Sequence, residues 1–528
     1  MTTPVTIVSP AAAPQLTRPT ALRDKLAQLL MIRIGSNLPP ITLVHQDEQR
    51  VAAELERCPV GGLLLFNGSW PETRDTLARL QAAAPTPMLV ASDIERGTGQ
   101  QVAGLTVFPH QRAFVDLDQA PAAIDTFCRI TAAEAHAVGI HATFGPVADV
   151  NTDPRNPIIA TRAFGDQPEI AAKLVASYVR SAEAAGLLTC AKHFPGHGDT
   201  HQDSHDAMPR VEVSTETLTA RELAPFRAAI AAGVSMMMTA HVEYPALDAS
   251  GAPATLSPTI LIELLRNQLG FDGVVCSDSL LMSGVRERFA NEGELAIAAL
   301  NAGVDLLLDV ADHVAVIDAL SAAVDAGRVS TERVEQAFDR VWLLKERAFS
   351  ERPLPASPLT SEQGNREAQQ IALSATRTLD GDHRKVLPLP TGTSLTAVVL
   401  KPHHRPTDPQ EQPLAAALRE RFAAVRYFET GPQVNSALAD DILAGVPEGE
   451  SVVVAMIVKP AAWHAFGLSP DQDALIRRLL DSRPVVLACL GVENALERYP
   501  EAAVRLVTHS DVPASQLALA ERLATATG

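Results

Sequence analysis

The chain has 528 residues, 46% hydrophobic and 20% charged, too long for one ordinary core and too apolar for a disordered chain, so two globular domains are expected. A formal net charge of −18 argues against a surface that gathers phosphates by counterion release, and nucleic acid is not an expected partner. The five cysteines, Cys58, Cys128, Cys190, Cys276 and Cys489, are odd in number, far apart and without a CxxC pair, which fits reduced thiols in a cytoplasm better than a disulfide framework.

Residues 1–20 have no basic segment ahead of an apolar run, and prolines interrupt them, so they read as a flexible leader rather than an export signal. No stretch reaches the roughly 18 uninterrupted apolar residues that a membrane span needs. A protein of the cytoplasm, with no membrane partner, is expected.

From residue 21 to 349 short apolar runs alternate with amphipathic helical stretches. The runs are "QLLMIRIG", "GGLLLFNG", "PMLVASDIE", "IHATFGPVADV", "LLTCAKHF", "SMMMTAHVEYP", "GVVCSDSLLM" and "VDLLLDV". They are apolar almost throughout, as strands covered on both faces are. Helical segments such as "PEIAAKLVASYVRSAEAAG" and "GELAIAALNAG" lie between them, and "STERVEQAFDRVWLLKERAF" closes the unit. Eight runs in βα alternation predict a (β/α)8 barrel, with a doubly wound open sheet as the competing arrangement. No GxGxxG follows the first run, which weakens the dinucleotide-binding form of that rival.

Residues 350–360, "SERPLPASPLT" from Ser350, carry the prolines and serines of a linker. The C-terminal part, 361–528, opens with a helical stretch over 361–379. Strand-like runs follow: "SLTAVVL", "AVRYFET", "SVVVAMIV", "PVVLACL" and "AVRLVTH". This pattern predicts a smaller α/β sandwich domain, an open sheet with helices on its faces.

In a barrel of this kind the chemistry collects where the strands end, because the βα loops emerge there. Five of the runs finish in ionisable groups: Asp93, Asp149, Lys192 with His193, His241 and Asp278. Packing does not explain this, since unpaired charges near a core are costly. Asp278 follows "VVC" after a single serine and is flanked by Ser277 and Ser279. A carboxylate held by donors stays ionised and can act as a nucleophile; equally, any of these three residues could cap the next helical turn.

The stretch "AKHFPGHGDTHQDSHD" places histidines at 193, 197, 201 and 205. Zinc-binding histidines four apart need a helix, and Pro195, Gly196 and Gly198 break one. A metal held by a loop stays open as an alternative, as does a merely solvated loop. Asp203 and His205 sit two apart, so the carboxylate can fix one ring nitrogen while the other exchanges protons.

These motifs resemble glycoside hydrolase family 3, specifically its β-N-acetylglucosaminidase branch. The likeness runs in order through "SDIERGTGQQ", "FGPVADVNTDPRNPIIATRAFGDQPE", "KHFPGHGDTHQDSH", "MTAHVEYPALD", "PATLSPTILIELLRNQLGFDGVVCSDSLLM" and "NAGVDLLL". The resemblance implies a retaining exo-β-N-acetylhexosaminidase with no cofactor and no metal, acting on terminal β-linked N-acetylglucosamine. By the same resemblance Asp278 is the nucleophile, and Asp203 with His205 the acid/base dyad. Asp93, Arg162, Lys192 and His193 bind sugar hydroxyls; Asp149, His241 and Asp305 lie in matching segments. Where many single-domain members have an arginine, this chain has Gln101. The implied substrates are amino-sugar glycosides such as muropeptides or chitooligosaccharides, and the implied setting is peptidoglycan recycling by a monomer or homodimer. The rivals are a β-N-acetylglucosaminide phosphorylase or β-glucosidase of the same family and, from another class, a metal-dependent hydrolase using the clustered histidines.

Overall fold

The computed structural model describes residues 16–200, 209–350, 361–379, 386–403, 409–460 and 465–525. The segment carrying Asp203 and His205, nearly all of the expected linker, and the leader up to residue 15 lie outside the described residues. The chain divides into two compact units. One comprises 1–106, 121–156 and 163–364; the other comprises 107–120, 157–162 and 365–528.

In the first unit all eight apolar runs carry a strand. They are β1 (Leu30–Ile34), β2 (Gly62–Leu65), β3 (Leu89–Ser92), β4 (Ala142–Thr143), β5 (Leu188–Phe194), β6 (Met236–Thr239), β7 (Val274–Cys276) and β8 (Leu307–Leu308). They form one sheet in the order β8-β1-β2-β3-β4-β5-β6-β7, and every neighbouring pair is parallel. The Cys276–Leu306 bridge, with Leu306 N donating to Val275 O, brings β7 to β8 and closes the ring. This is the expected (β/α)8 barrel. The strands are buried throughout or nearly so because helices cover the sheet outside and side chains fill it inside, hence their unbroken hydrophobicity.

The helices begin and end where local chemistry directs. The helix Pro168–Ala184 has proline in its first turn, where the missing N–H costs nothing. Glu292–Ala302 is capped by Asn291 and ends at Gly303, whose φ of +118° suits a residue without Cβ. The closing helix Thr331–Ala348 starts at Ser330, whose hydroxyl accepts from Arg333 N.

The second unit holds a six-stranded sheet. Its strands are β9 (Arg377–Thr378), β10 (Ser394–Leu400), β11 (Ala424–Thr430), β12 (Ser451–Val458), β13 (Val485–Gly491) and β14 (Val504–Val507), ordered β9-β14-β13-β12-β10-β11. The sequence reading had five strands and a helix over 361–379. The helix stops at Ala375, and the chain then adds β9 as an antiparallel edge on β14.

Alternate residues of the central strands serve opposite faces. Leu395, Ala397, Val399, Val453 and Ala455 pack with the helices Pro413–Arg419 and Pro513–Ala524. Val398, Leu400, Val452, Val454 and Met456 pack with Ser436–Ala444 and Pro470–Ser482. The two-residue period of a strand makes one sequence feed two cores, and each buried Val, Leu or Met among these side chains stabilises by about 1.5–3 kcal/mol.

Candidate active site

At the C-terminal end of β3 stands Asp93, and two residues on is Glu95. The Lys192 ammonium, near the end of β5, lies 2.6 Å from a carboxylate oxygen of each. Lys192 and Glu95 are buried, while the Asp93 side chain keeps 29% of its surface. Two carboxylates around one ammonium leave a negative charge, and Asp93 is the exposed member that can accept from a ligand.

Asp149 has no exposed surface and is the anchor of the next segment. Its Oδ1 accepts from His193 N at 3.1 Å and His197 N at 2.7 Å, and its Oδ2 meets His193 Nδ1 at 2.7 Å. Burial alone would raise its pKa, but the neighbouring His193, its hydrogen bonds and His197 hold it below the usual value. An ionised carboxylate only accepts, so Nδ1 of His193 carries the proton and Nε2 is the atom turned away from Asp149. His197 is pushed down to about 4, first by burial and then by His193, with the Asp149 charge and, less, that of Asp278 opposing. It is therefore neutral near pH 7, and its Nδ1 meets Thr200 Oγ1 at 2.9 Å.

The glycines in "PGHGD" are set by tertiary contact as well as by their dislike of helix. A Cβ on Gly198 would fall 1.7 Å from Val150 O, and one on Gly196 would fall 2.9 Å from the Glu222 side chain. Tyr244 Oη donates to Gly196 O at 2.6 Å, and Arg221 ties Asp199 to Glu222. Glu222 ends a π-helical turn, Leu218–Glu222, and its carboxyl is raised to about 7 by burial despite Arg221. On the far side of residues 201–208, Val211 N donates to Glu243 O and Glu243 N to Pro209 O.

His241, after β6, is buried with Nδ1 2.7 Å from Thr255 Oγ1 and Nε2 3.1 Å from Ser279 O. The carbonyl accepts, so Nε2 is the protonated nitrogen. Asp149 and His241, expected at the sugar, thus turn polar atoms to the protein: one holds the His193–His197 turn, the other the peptide beside Asp278.

Asp278 stands two residues past β7, is half-buried, and accepts from Ser279 N at 2.7 Å. The next helix begins only at Ser283, with Met282 before it and no side-chain cap. In this turn Ser279 Oγ, rather than Asp278, accepts from Leu281 N. By its place after β7 the Asp278 carboxylate stands at the barrel mouth. Ser279 Oγ also donates to Asp309 Oδ2 at 2.6 Å, and Arg33 from β1 grips the same carboxylate.

Gln101 is buried on the loop after β3. Its amide donates to Asp93 O at 3.3 Å, and its oxygen accepts from Asn37 Nδ2 at 2.8 Å. The departure at this position thus supports the backbone of Asp93. Arg162 belongs to the other unit, where its guanidinium donates to Ile158 O at 3.2 Å.

Asp305 is not at this face. It precedes β8 at the strand's N-terminal end, fully buried, accepting from Arg266, Arg333, Arg340 and Val275 N. Sequence reasoning passed over Glu95 and Asp309. The first stands two residues from Asp93 and the second ends its own apolar run, the same signal that singled out Asp278.

For the metal alternative, His193 and His197 have Nδ1 committed to Asp149 and Thr200, and His201 and His205 are outside the described residues. Among the described residues the cluster with metal-ligand proximity is Asp116, Glu493 and His509, in the second unit. Arg112 and Arg377 both lie within 2.8 Å of Asp116 Oδ2, so two guanidiniums already occupy the place a cation would take.

Residues 21–344 match the Glycosyl hydrolase family 3 N terminal domain. Beta-hexosaminidase A of Pseudoalteromonas piscicida is 31% identical over 66% of this chain, which spans 63% of that relative's length. A beta-hexosaminidase of Idiomarina loihiensis is 33% identical over 57% of this chain and 89% of its own. Among solved structures, a glycoside hydrolase family 3 beta-N-acetylglucosaminidase from Paenibacillus sp. str. FPU-7 superposes with a TM-score of 0.84 at 30% identity, covering 96% of this chain and 97% of that one. A beta-glucoside phosphorylase superposes at 0.82, covering 96% and 92%, with 20% identity, a likeness of fold alone.

Proposed function

The chain belongs to glycosyl hydrolase family 3, and on that footing we propose that it is a retaining exo-β-N-acetylhexosaminidase that removes terminal β-linked N-acetylglucosamine. The observation that carries this reading is the strand-end cluster: Asp278 on the same barrel face as Asp93, Lys192 and His193. Relatives that carry the name beta-hexosaminidase support the choice of sugar.

In the proposed reaction an Asp278 oxygen attacks the anomeric carbon as the bond to the leaving oxygen breaks, and His205 gives that oxygen a proton. Water then attacks the glycosyl-enzyme ester, His205 takes its proton, and the Asp278 carboxylate is released. Asp203 orients the imidazole. An imidazole has a pKa near neutrality, so it needs less burial than a carboxylic acid to hold the proton. Asp93, Lys192 and His193 are assigned to the sugar, with Asp149 and His241 positioning His193 and Asp278. Asp93 is suited to hydroxyl groups because its part-exposed carboxylate presents acceptors after β3. No cofactor is assigned to any step.

A place in the cytoplasm is supported by five free buried cysteines, and recycling of cell-wall amino sugars there is part of the same proposal. Among the described residues no helix is long and apolar enough to cross a membrane.

Asp278→Asn is expected to lower turnover of an aryl β-N-acetylglucosaminide by about 10³-fold or more while leaving the circular dichroism spectrum unchanged. His205→Ala is expected to slow poor leaving groups more than nitrophenol. Free N-acetylglucosamine, rather than its 1-phosphate, is the expected product in phosphate buffer. Substantial activity in Asp278→Asn would remove the nucleophile assignment.

A further inference from the structure

The loop after β1 leaves two large aliphatic side chains in solvent. Among the described residues five large hydrophobic side chains are exposed, and two of these, Leu38 at 50% and Ile41 at 53%, lie three positions apart. The backbone beneath them is tightly fastened. Ser36 and Thr42 exchange backbone hydrogen bonds of 2.8 and 3.1 Å. Asn67 Nδ2 donates to Ser36 O and Thr42 O, while Ser36 Oγ donates to Leu38 O and Thr42 Oγ1 to Pro40 O. Leu38, Pro39, Pro40 and Ile41 therefore form the tip of a small built hairpin, and their exposure is not fraying of a loose end. Holding aliphatic surface in water forgoes about 25 cal/mol per Å², a cost that a contact would recover.

The hairpin belongs to the catalytic face, because it leaves the C-terminal end of β1. It is also wired to the site. Asn37, next to Leu38, donates to Gln101 Oε1, and Gln101 Nε2 donates to Asp93 O. Gln101 reaches the loop after β2 as well, since Gly68 N donates to Gln101 O at 2.6 Å. One buried residue, through its side-chain amide and its backbone carbonyl, thus sets the hairpin, the β2 loop and the Asp93 backbone together.

We infer that the Leu38–Ile41 tip is an aglycone-side contact that takes an aliphatic chain, alkyl or acyl, carried by the leaving group. This rests on the reading of the chain as a hydrolase of β-linked N-acetylglucosamine. The chemistry of the tip selects the occupant. Residues 35–44, "GSNLPPITLV", contain no charge and no aromatic ring in a chain whose formal net charge is −18. A sugar ring would be met by an aromatic face and a charged group by a counter-charge, and neither is offered here. Four residues also fall far short of the roughly 800 Å² per partner that a stable protein interface buries, which disfavours a second copy as the occupant.

The test compares hexyl and methyl β-N-acetylglucosaminides, at concentrations below micelle formation, in the wild type and in Leu38→Ser/Ile41→Ser. The ratio of kcat/KM for hexyl over methyl is expected to exceed one in the wild type. It should fall about tenfold in the double variant and be retained in Leu38→Met/Ile41→Val. Methyl glycoside turnover reports that each variant is folded. An unchanged ratio overturns the inference while leaving the function standing. A concentration-dependent dimer in sedimentation, abolished by the double substitution, overturns it in favour of a second copy. If the wild type cleaves neither glycoside, the functional reading fails and this one with it.

Discussion

Lys345 sits on the closing helix of the barrel with no exposed surface, its ammonium nitrogen bonded to Gln28 Oε1 and, at 2.8 Å, to Pro87 O. Burial pushes its pKa from 10.5 down to about 7, and a neutral amine has two N–H bonds for these two acceptors. In the unfolded chain the same amine is protonated up to about pH 10. Between pH 7 and 10 unfolding therefore takes up a proton, and stability is expected to rise with pH by up to about 1.4 kcal/mol per unit from this group. Below about pH 7 both states are protonated and its penalty is constant. Urea midpoints of the wild type and Lys345→Met across this range check it: the wild-type curve should climb relative to the variant. Parallel curves would show that the amine stays charged when folded. The absolute stability of the variant is a poorer measure, because methionine leaves Gln28 and Pro87 O without their donor.

At the scale of an element, the turn His193–Thr200 is held by one buried charge. Asp149 accepts two backbone N–H groups and one imidazole N–H, and an amide in its place would offer an NH₂ to at least one donor. Asp149→Asn is expected to cost about 3 kcal/mol of stability and to raise KM for the aryl glycoside more than it lowers kcat, readable from thermal melts and initial rates. Loss of kcat alone would place Asp149 in the chemistry instead.

How much of this was legible depended on the range of the cause. The strands could be read as apolar runs because parallel strands buried on both faces lack polar alternation, and the strand-end rule then located Asp93, Lys192, His193 and Asp278. The rule equally covers Asp309, which ends "VDLLLD". Asp305 came from the resemblance alone, and it lies before the short strand β8, Leu307–Leu308, rather than after it. The edge strand Arg377–Thr378 was hidden because two residues carry no period. Gln101 and the two glycines of the turn answer to partners tens of residues away, which local pattern does not report.

At the scale of the whole molecule, a net charge of −18 acts on what arrives. A neutral aryl N-acetylglucosaminide should be indifferent to it, with kcat/KM changing less than about twofold between 20 and 500 mM salt, whereas an aglycone bearing carboxylates should react faster as salt screens the repulsion. Initial rates on the two substrates across that range decide it. A carboxylated substrate slowed by salt would point to a local basic patch that outweighs the global charge.

The pairing of β1 with both β2 and β8 joins Leu30 to Leu307, and this places a demand on the order of synthesis. The first strand made keeps one edge open until nearly three hundred further residues have emerged from the ribosome, and an open strand edge is an invitation to wrong partners. The Asp305 carboxylate then needs Arg333 and Arg340 from the segment made just after it. Ribosome-bound chains halted before the closing helix should accordingly be the form that chaperones hold, with release coming once that helix is exposed.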